Sequence, residues 1–137
     1  MATRRELQKL SCLRLREAEA LSAAGCYDEC AYLCGYVVEL ALKAVICARF
    51  GVNEYPEKRL HGALRTHELE DLKLISGLDQ DLSSTVGRVA NWSVASEWKP
   101  DRRYQPEGSY DQAAAQRMPN AIGSYPDGVL ACISSHW

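Results

Sequence analysis

The sequence has no surplus of positive charge, no Cys-x-x-Cys pair, no glycine-rich phosphate loop, no Gly-x-Ser-x-Gly elbow and no pair of histidines at zinc spacing. Each absence closes off a class. A formal net charge of −2 argues against a broad electrostatic grip on nucleic acid, DNA included, since proteins that hold polyanions show basic patches and a high pI. It leaves room for a small local cationic site. Without the loop, the elbow or the histidine pair, nothing in the sequence points to a P-loop nucleotidase, an α/β-hydrolase or a zinc enzyme, and neither metal nor cofactor is expected. The start, Met1 to Leu10, lacks the apolar core of a signal peptide, so the cytoplasm is the expected location and the six cysteines are not read as a disulfide framework. No period-two alternation marks a strand.

What the chain does have is one long apolar run, Cys30 to Phe50, with Glu39 and Lys43 one turn apart at its middle. A helix apolar on nearly every face must be surrounded, by lipid or by protein. Charges at a bilayer midpoint cost about 2.5–3.5 kcal/mol each, and much of the apolar content is Ala and Cys. No membrane span is therefore expected, and the run is read as the central rod of a helical domain. With 137 residues, 47% of them apolar, the chain is expected to fold as one domain over residues 1–137. Cys26, Cys30 and Cys34 recur every four residues and share a helix face. With no histidine nearby they are read as small buried hydrophobes rather than a metal or redox site.

The periodicity predicts further helices around this rod. Thr3 with Glu6 makes a capping box for a first helix reaching Ala24, closed by Gly25. The short link to the second helix forces an antiparallel hairpin. A loop of about fifteen residues follows, long enough to suggest a role of its own. Thr66 is expected to cap a third helix over residues 67–75, stopped by Gly77. Asp79 opens a fourth through Glu97, with Leu82, Val86, Val89 and Trp92 inward. Ser109 caps a fifth, with Tyr110, Ala114, Met118 and Ile122 inward and Pro119 kinking or restarting it. Tyr125-Pro126-Asp127-Gly128 reads as a turn before a last short helix carrying Val129, Cys132 and Ile133. The expected fold is all-α, an up-and-down bundle of about five helices.

The segments Gly25-Cys26-Tyr27-Asp28, Cys30-Ala31-Tyr32, Val38-Glu39-Leu40-Ala41-Leu42-Lys43-Ala44 and His67-Glu68-Leu69 resemble the pattern of HEPN domains, the higher eukaryotes and prokaryotes nucleotide-binding family. Cys30 stands where the family usually has Ala. Trp98, Arg103-Tyr104, Pro106, Gly128-Val129, Ile133 and Trp137 also look like members of this family. The resemblance implies a helical bundle and a homodimer. Many HEPN proteins are metal-independent ribonucleases marked by Arg-x(4–6)-His, in which His acts as general acid or base beside a phosphate-steadying Arg. Here His61, His67 and His136 have no Arg at that spacing, and Arg59 precedes His67 by one residue too many. The resemblance therefore implies a member without that motif, a non-catalytic nucleotide- or partner-binding module. Its expected setting is a toxin–antitoxin, defence or nucleotidyltransferase-associated system, with a nucleotide, RNA, a toxin or a nucleotidyltransferase as partner. The alternative is a divergent endoribonuclease using His67 with Arg102 or Arg103.

The candidate site residues are Arg102, Arg103 and Tyr104, where two guanidiniums beside a phenol can hold a phosphate and stack a base. Against this, the arginines can pair with Asp101 or Glu107 while Tyr104 packs under its loop. Trp92 and Trp98 are candidate stacking faces. His67 is either a catalytic group or a residue that hydrogen-bonds the preceding loop. Glu39 and Lys43 either form a structural pair or face a nucleotide or partner chain. Arg4, Arg5, Arg14 and Arg16 form a basic face on the first helix.

Overall fold

The computed structural model describes residues 2–56 and 66–137, and within them six α-helices and no strand. Helix α1 (Arg4–Ala23) opens with the predicted capping box. The Thr3 side chain accepts from Glu6 N and the Glu6 carboxylate accepts from Thr3 N. Gly25 follows in the left-handed region at φ 81°, the conformation a helix-ending residue requires. Helix α2 (Tyr27–Arg49) then returns antiparallel, and the α1–α2 pair is the most extensive packing in the fold. Ser11 is fully buried between them and its hydroxyl donates to Val37 O at 2.7 Å.

Helix α2 is the central rod. Of its most apolar window, 78% is buried inside the chain, so protein already covers the faces that lipid would otherwise cover. Helices α3 (Leu69–Ser76), α5 (Gln112–Gly123) and α6 (Val129–Ser134) all pack on it. Leu72, Met118, Ile122, Val129, Cys132 and Ile133 supply their buried faces. Gly77 ends α3 at φ 79°, as expected.

Several boundaries differ from the sequence reading. Thr66 does not cap α3. Its hydroxyl accepts from Glu68 N and donates to Asp71, forming a local turn, and Glu68 takes the cap position. His67 therefore precedes the helix. The expected fourth helix is split into a 3-10 turn (Asp81–Ser83) and α4 (Val86–Ala95), because the Thr85 side chain accepts from Arg88 N and starts a new helix. This rotates the apolar pattern. Leu82 and Trp92 are buried, but Val86 is 89% and Val89 51% exposed. Arg88 and Asn91 turn inward instead, to Asp81 O and Asp127 O. The fifth helix is capped by Asp111, not Ser109. Pro119 sits within α5 without interrupting it, buried against the core. Of the three stacked cysteines, Cys30 and Cys34 are buried but Cys26 is exposed at the cap of α2. The expected α2–α3 loop, with Arg59 and His61, lies largely outside the described residues.

Candidate functional site

One face of α2 collects nearly every candidate. Asp28, Tyr32, Tyr36, Glu39 and Lys43 follow spacings of three and four, so they line one side of the helix. Along this stripe of roughly 22 Å, at about 1.5 Å per residue, the rest of the chain brings in two groups.

At the N-terminal end stands the segment from Trp98 to Tyr110. Trp98 is fully buried, and its indole N–H donates to Tyr32 O at 2.9 Å. It leads directly into a 3-10 turn (Pro100–Tyr104) that carries Arg102, Arg103 and Tyr104. Asp28 fastens the far side of this loop, accepting from Gly108 N at 2.8 Å and Tyr110 N at 3.0 Å. Between these clamps lies a small cavity of about 60 Å³ lined by Asp28, Glu29, Tyr32, Arg102, Arg103 and Tyr110, with Gln105 at its edge. That is room for a few waters or one tetrahedral oxyanion. Arg102 stacks over the Tyr110 ring at 5.0 Å and donates to Glu97 O. Arg103 stacks over Tyr104 at 4.8 Å, and Tyr104 is 75% exposed. Among the described residues neither arginine forms an ion pair with Asp101 or Glu107, and Tyr104 does not pack under its loop. The Tyr110 hydroxyl is buried with no hydrogen-bond partner.

At the C-terminal end of the stripe is a buried carboxylate. Glu39 Oε1 accepts from Lys43 Nζ at 2.9 Å and is 2.8 Å from His67 Nδ1. Glu39 and Lys43 are 3% and 5% exposed, whereas the His67 side chain is 53% exposed. Lys43 Nζ also lies 4.9 Å over the Tyr55 ring. Glu39 Oε2 is buried without a partner. A carboxylate accepts, so His67 Nδ1 is the donor directed at Glu39, and among the described residues Nε2 has no hydrogen-bond partner.

Tyr36 connects the two groups. Its ring meets Trp98 and Tyr32 edge-on at 5.2 and 5.3 Å, and its hydroxyl lies 3.0 Å from that of Tyr32. Burial, then the Tyr32 hydrogen bond and the charges of Tyr32 and Glu39, push its phenol up to about 12 against the lowering effect of Arg103. His67 does not join the arginine pair directly. Tyr32 and Glu39 are separated by about 10 Å along the helix axis. Trp92 and Trp98 are not stacking faces for a ligand. Trp92 donates to Glu70 and Trp98 fills the core.

Sequence reasoning missed the roles of Asp28, Tyr32, Tyr36 and Tyr110. The polar and aromatic i, i+4 stripe on α2 was the available signal. Arg14 pairs with Glu17 at 2.7 Å, so the basic face of α1 is partly neutralised. Among the described residues no cluster of His, Cys, Asp and Glu has the geometry to hold a metal.

Fold and site define a helical bundle organised by a hairpin, with a guanidinium–phenol cavity and a carboxylate–histidine pair along one helix. The HEPN domain model matches residues 12–119, and the chain belongs to that family. No curated protein and no solved structure matches it.

Proposed function

We propose that this chain is a nucleotide-binding HEPN module whose Arg102 and Arg103 hold a phosphate while Tyr104 stacks against the base. The observation that carries this reading is the exposed Arg103–Tyr104 stack beside a cavity of phosphate size, with both arginines free of ion pairs among the described residues. An exposed planar guanidinium beside a phenol suits a phosphate and a base at once. Asp28 and Glu29 in the same lining repel anions, a cost that the two guanidiniums offset for one compact anion and that grows along a polyanion. Calorimetric titration with AMP and UMP tests it. Saturable binding weakened at least about tenfold in an Arg102→Gln/Arg103→Gln variant is expected, from the loss of two charge-assisted hydrogen bonds. No binding, or binding indifferent to the double substitution, overturns it.

The Glu39–His67 pair favours one second reading, a divergent endoribonuclease in which His67 moves the proton and Arg103 steadies phosphate, which requires the two to meet across a dimer since they lie apart within the chain. Incubating the protein with total RNA at several pH values decides between them. Cleavage lost in His67→Ala supports the nuclease, and no cleavage at micromolar protein removes it.

The reading extends to a cytoplasmic homodimer working beside a toxin or nucleotidyltransferase partner. The exposed Val86 and Val89 on α4, apolar and uncovered within the chain, support a surface for a second copy. A monomeric mass by light scattering at about 10 µM counts against the dimer.

A further inference from the structure

A second cleft opens at the other end of α2, far from the arginine–tyrosine cavity. Its volume is about 540 Å³, within the range of small-molecule sites, and its lining includes Val45, Ala48, Arg49, Leu78, Asp81 and His136. Val45 and Leu78 are almost fully buried, so with Ala48 they give the cleft an apolar floor. The polar groups stand at its rim.

Arg49 is fixed in place. Its Nη1 donates to Ile75 O at 3.0 Å, and the guanidinium lies so close to Gly77 that a Cβ there would fall 2.4 Å from Nη1. The remaining donors of this guanidinium have no partner among the described residues. Across the cleft His136 Nε2 is hydrogen-bonded to Asp81 Oδ2, which leaves Nδ1 unengaged among the described residues. Arg88 Nη1, 3.7 Å from Asp81, offsets that carboxylate. Among the described residues Arg49 forms no ion pair, so its charge stands at the mouth of a cleft with a part polar, part apolar lining, next to the C-terminal turn of α2.

We propose that this cleft binds a small molecule joining one carboxylate or phosphate group to an apolar or aromatic body. The anion takes the free edge of the Arg49 guanidinium, whose planar donors match either oxyanion. The body lies on Val45, Ala48 and Leu78. The His136 imidazole, held by Asp81, adds a hydrogen bond through Nδ1. This site is separate from the nucleotide-binding reading of Arg102 and Arg103 and does not rest on it.

Amide NMR titrations of the intact chain test the proposal, with phenyl phosphate and benzoate as probes and inorganic phosphate and phenol as controls. Saturable shifts at Gly77 and Leu78 are expected with phenyl phosphate or benzoate, and whichever is tighter names the anion. Arg49→Gln is expected to weaken binding at least about tenfold, while Arg102→Gln/Arg103→Gln leaves it unchanged. Should Arg49→Gln unfold the chain, Ala48→Phe fills the floor without touching a charge and is expected to abolish binding. No saturable shift up to about 10 mM probe, equal binding of inorganic phosphate and phenyl phosphate, or binding unaffected by Arg49→Gln or Ala48→Phe overturns it.

Discussion

The indole of Trp98 lies directly on the α-carbon of Gly35. A Cβ at position 35 would sit 1.9 Å from Trp98 Cδ2, so no other residue fits there without moving the ring. This contact docks the chain leaving α4 onto α2 and sets where Arg102 and Arg103 emerge. Gly35→Ala is expected to destabilise the fold by about 1–3 kcal/mol through overpacking. If the arginine site binds nucleotide, the same change also weakens that binding. Urea unfolding measures the first effect and calorimetry the second. An unchanged unfolding midpoint would contradict the packing described.

Glu39 and Lys43 form a buried pair that His67 shares. Removing one partner takes the nearest opposite charge from a group that is almost fully buried. Glu39→Gln and Lys43→Met are each expected to cost about 3–5 kcal/mol, and the double variant less than their sum. A double-mutant cycle by urea unfolding reads this. Singles within about 0.5 kcal/mol of the parent would mean the pair is not structural. Loss of ligand binding without loss of stability would make it part of the site.

Acid should destabilise the α3–α4 contact. Burial pushes the Glu70 carboxyl up, but hydrogen bonds from Lys73 and the Trp92 indole outweigh it and hold it below its ordinary value. A folded pKa lower than the unfolded one, about 4.3, gives stability that is full above that pH and is lost as pH falls through the folded value. Unfolding free energy measured from about pH 5 to pH 3 is expected to fall less steeply in Glu70→Gln than in the parent. Parallel curves would show that Glu70 is not a source of the acid sensitivity.

Ser11 occupies a fully buried position in the α1–α2 seam and ties it to Val37 O. Ser11→Ala leaves that carbonyl within its helix ladder but removes one buried hydrogen bond. The expected cost is about 1 kcal/mol, read as a drop in the thermal midpoint at unchanged helix content by circular dichroism. A higher midpoint would show that desolvating the hydroxyl outweighs its bond.

Much of this was legible from residue order because it is local. The capping box at Thr3 and Glu6, the left-handed Gly25 and Gly77, and the apolar α2 each depend on neighbours within a few residues, where backbone geometry and amphipathic period act directly. That is why the α1–α2 hairpin and the all-α class could be read beforehand. The α4 face could not. Its period allowed Val86 and Val89 inward, but the Thr85 cap and the Arg88–Asp81 contact reset the register. Nor could the sequence tell that Trp92 and Trp98 serve the core, since an indole suits a core and a stacking face equally.

The sequence by itself determined the order of the helices, the family and the central place of the apolar rod, along with Arg103 and Tyr104 as a neighbouring pair. Only the tertiary structure decided that Glu39, 28 residues before His67, shares a hydrogen bond with it. It also decided that Asp28 holds the backbone near Tyr110, and that Arg49 and His136 face one cleft. The physical reason is that helix periodicity fixes which side of a helix a residue takes, while packing among helices fixes what meets it there.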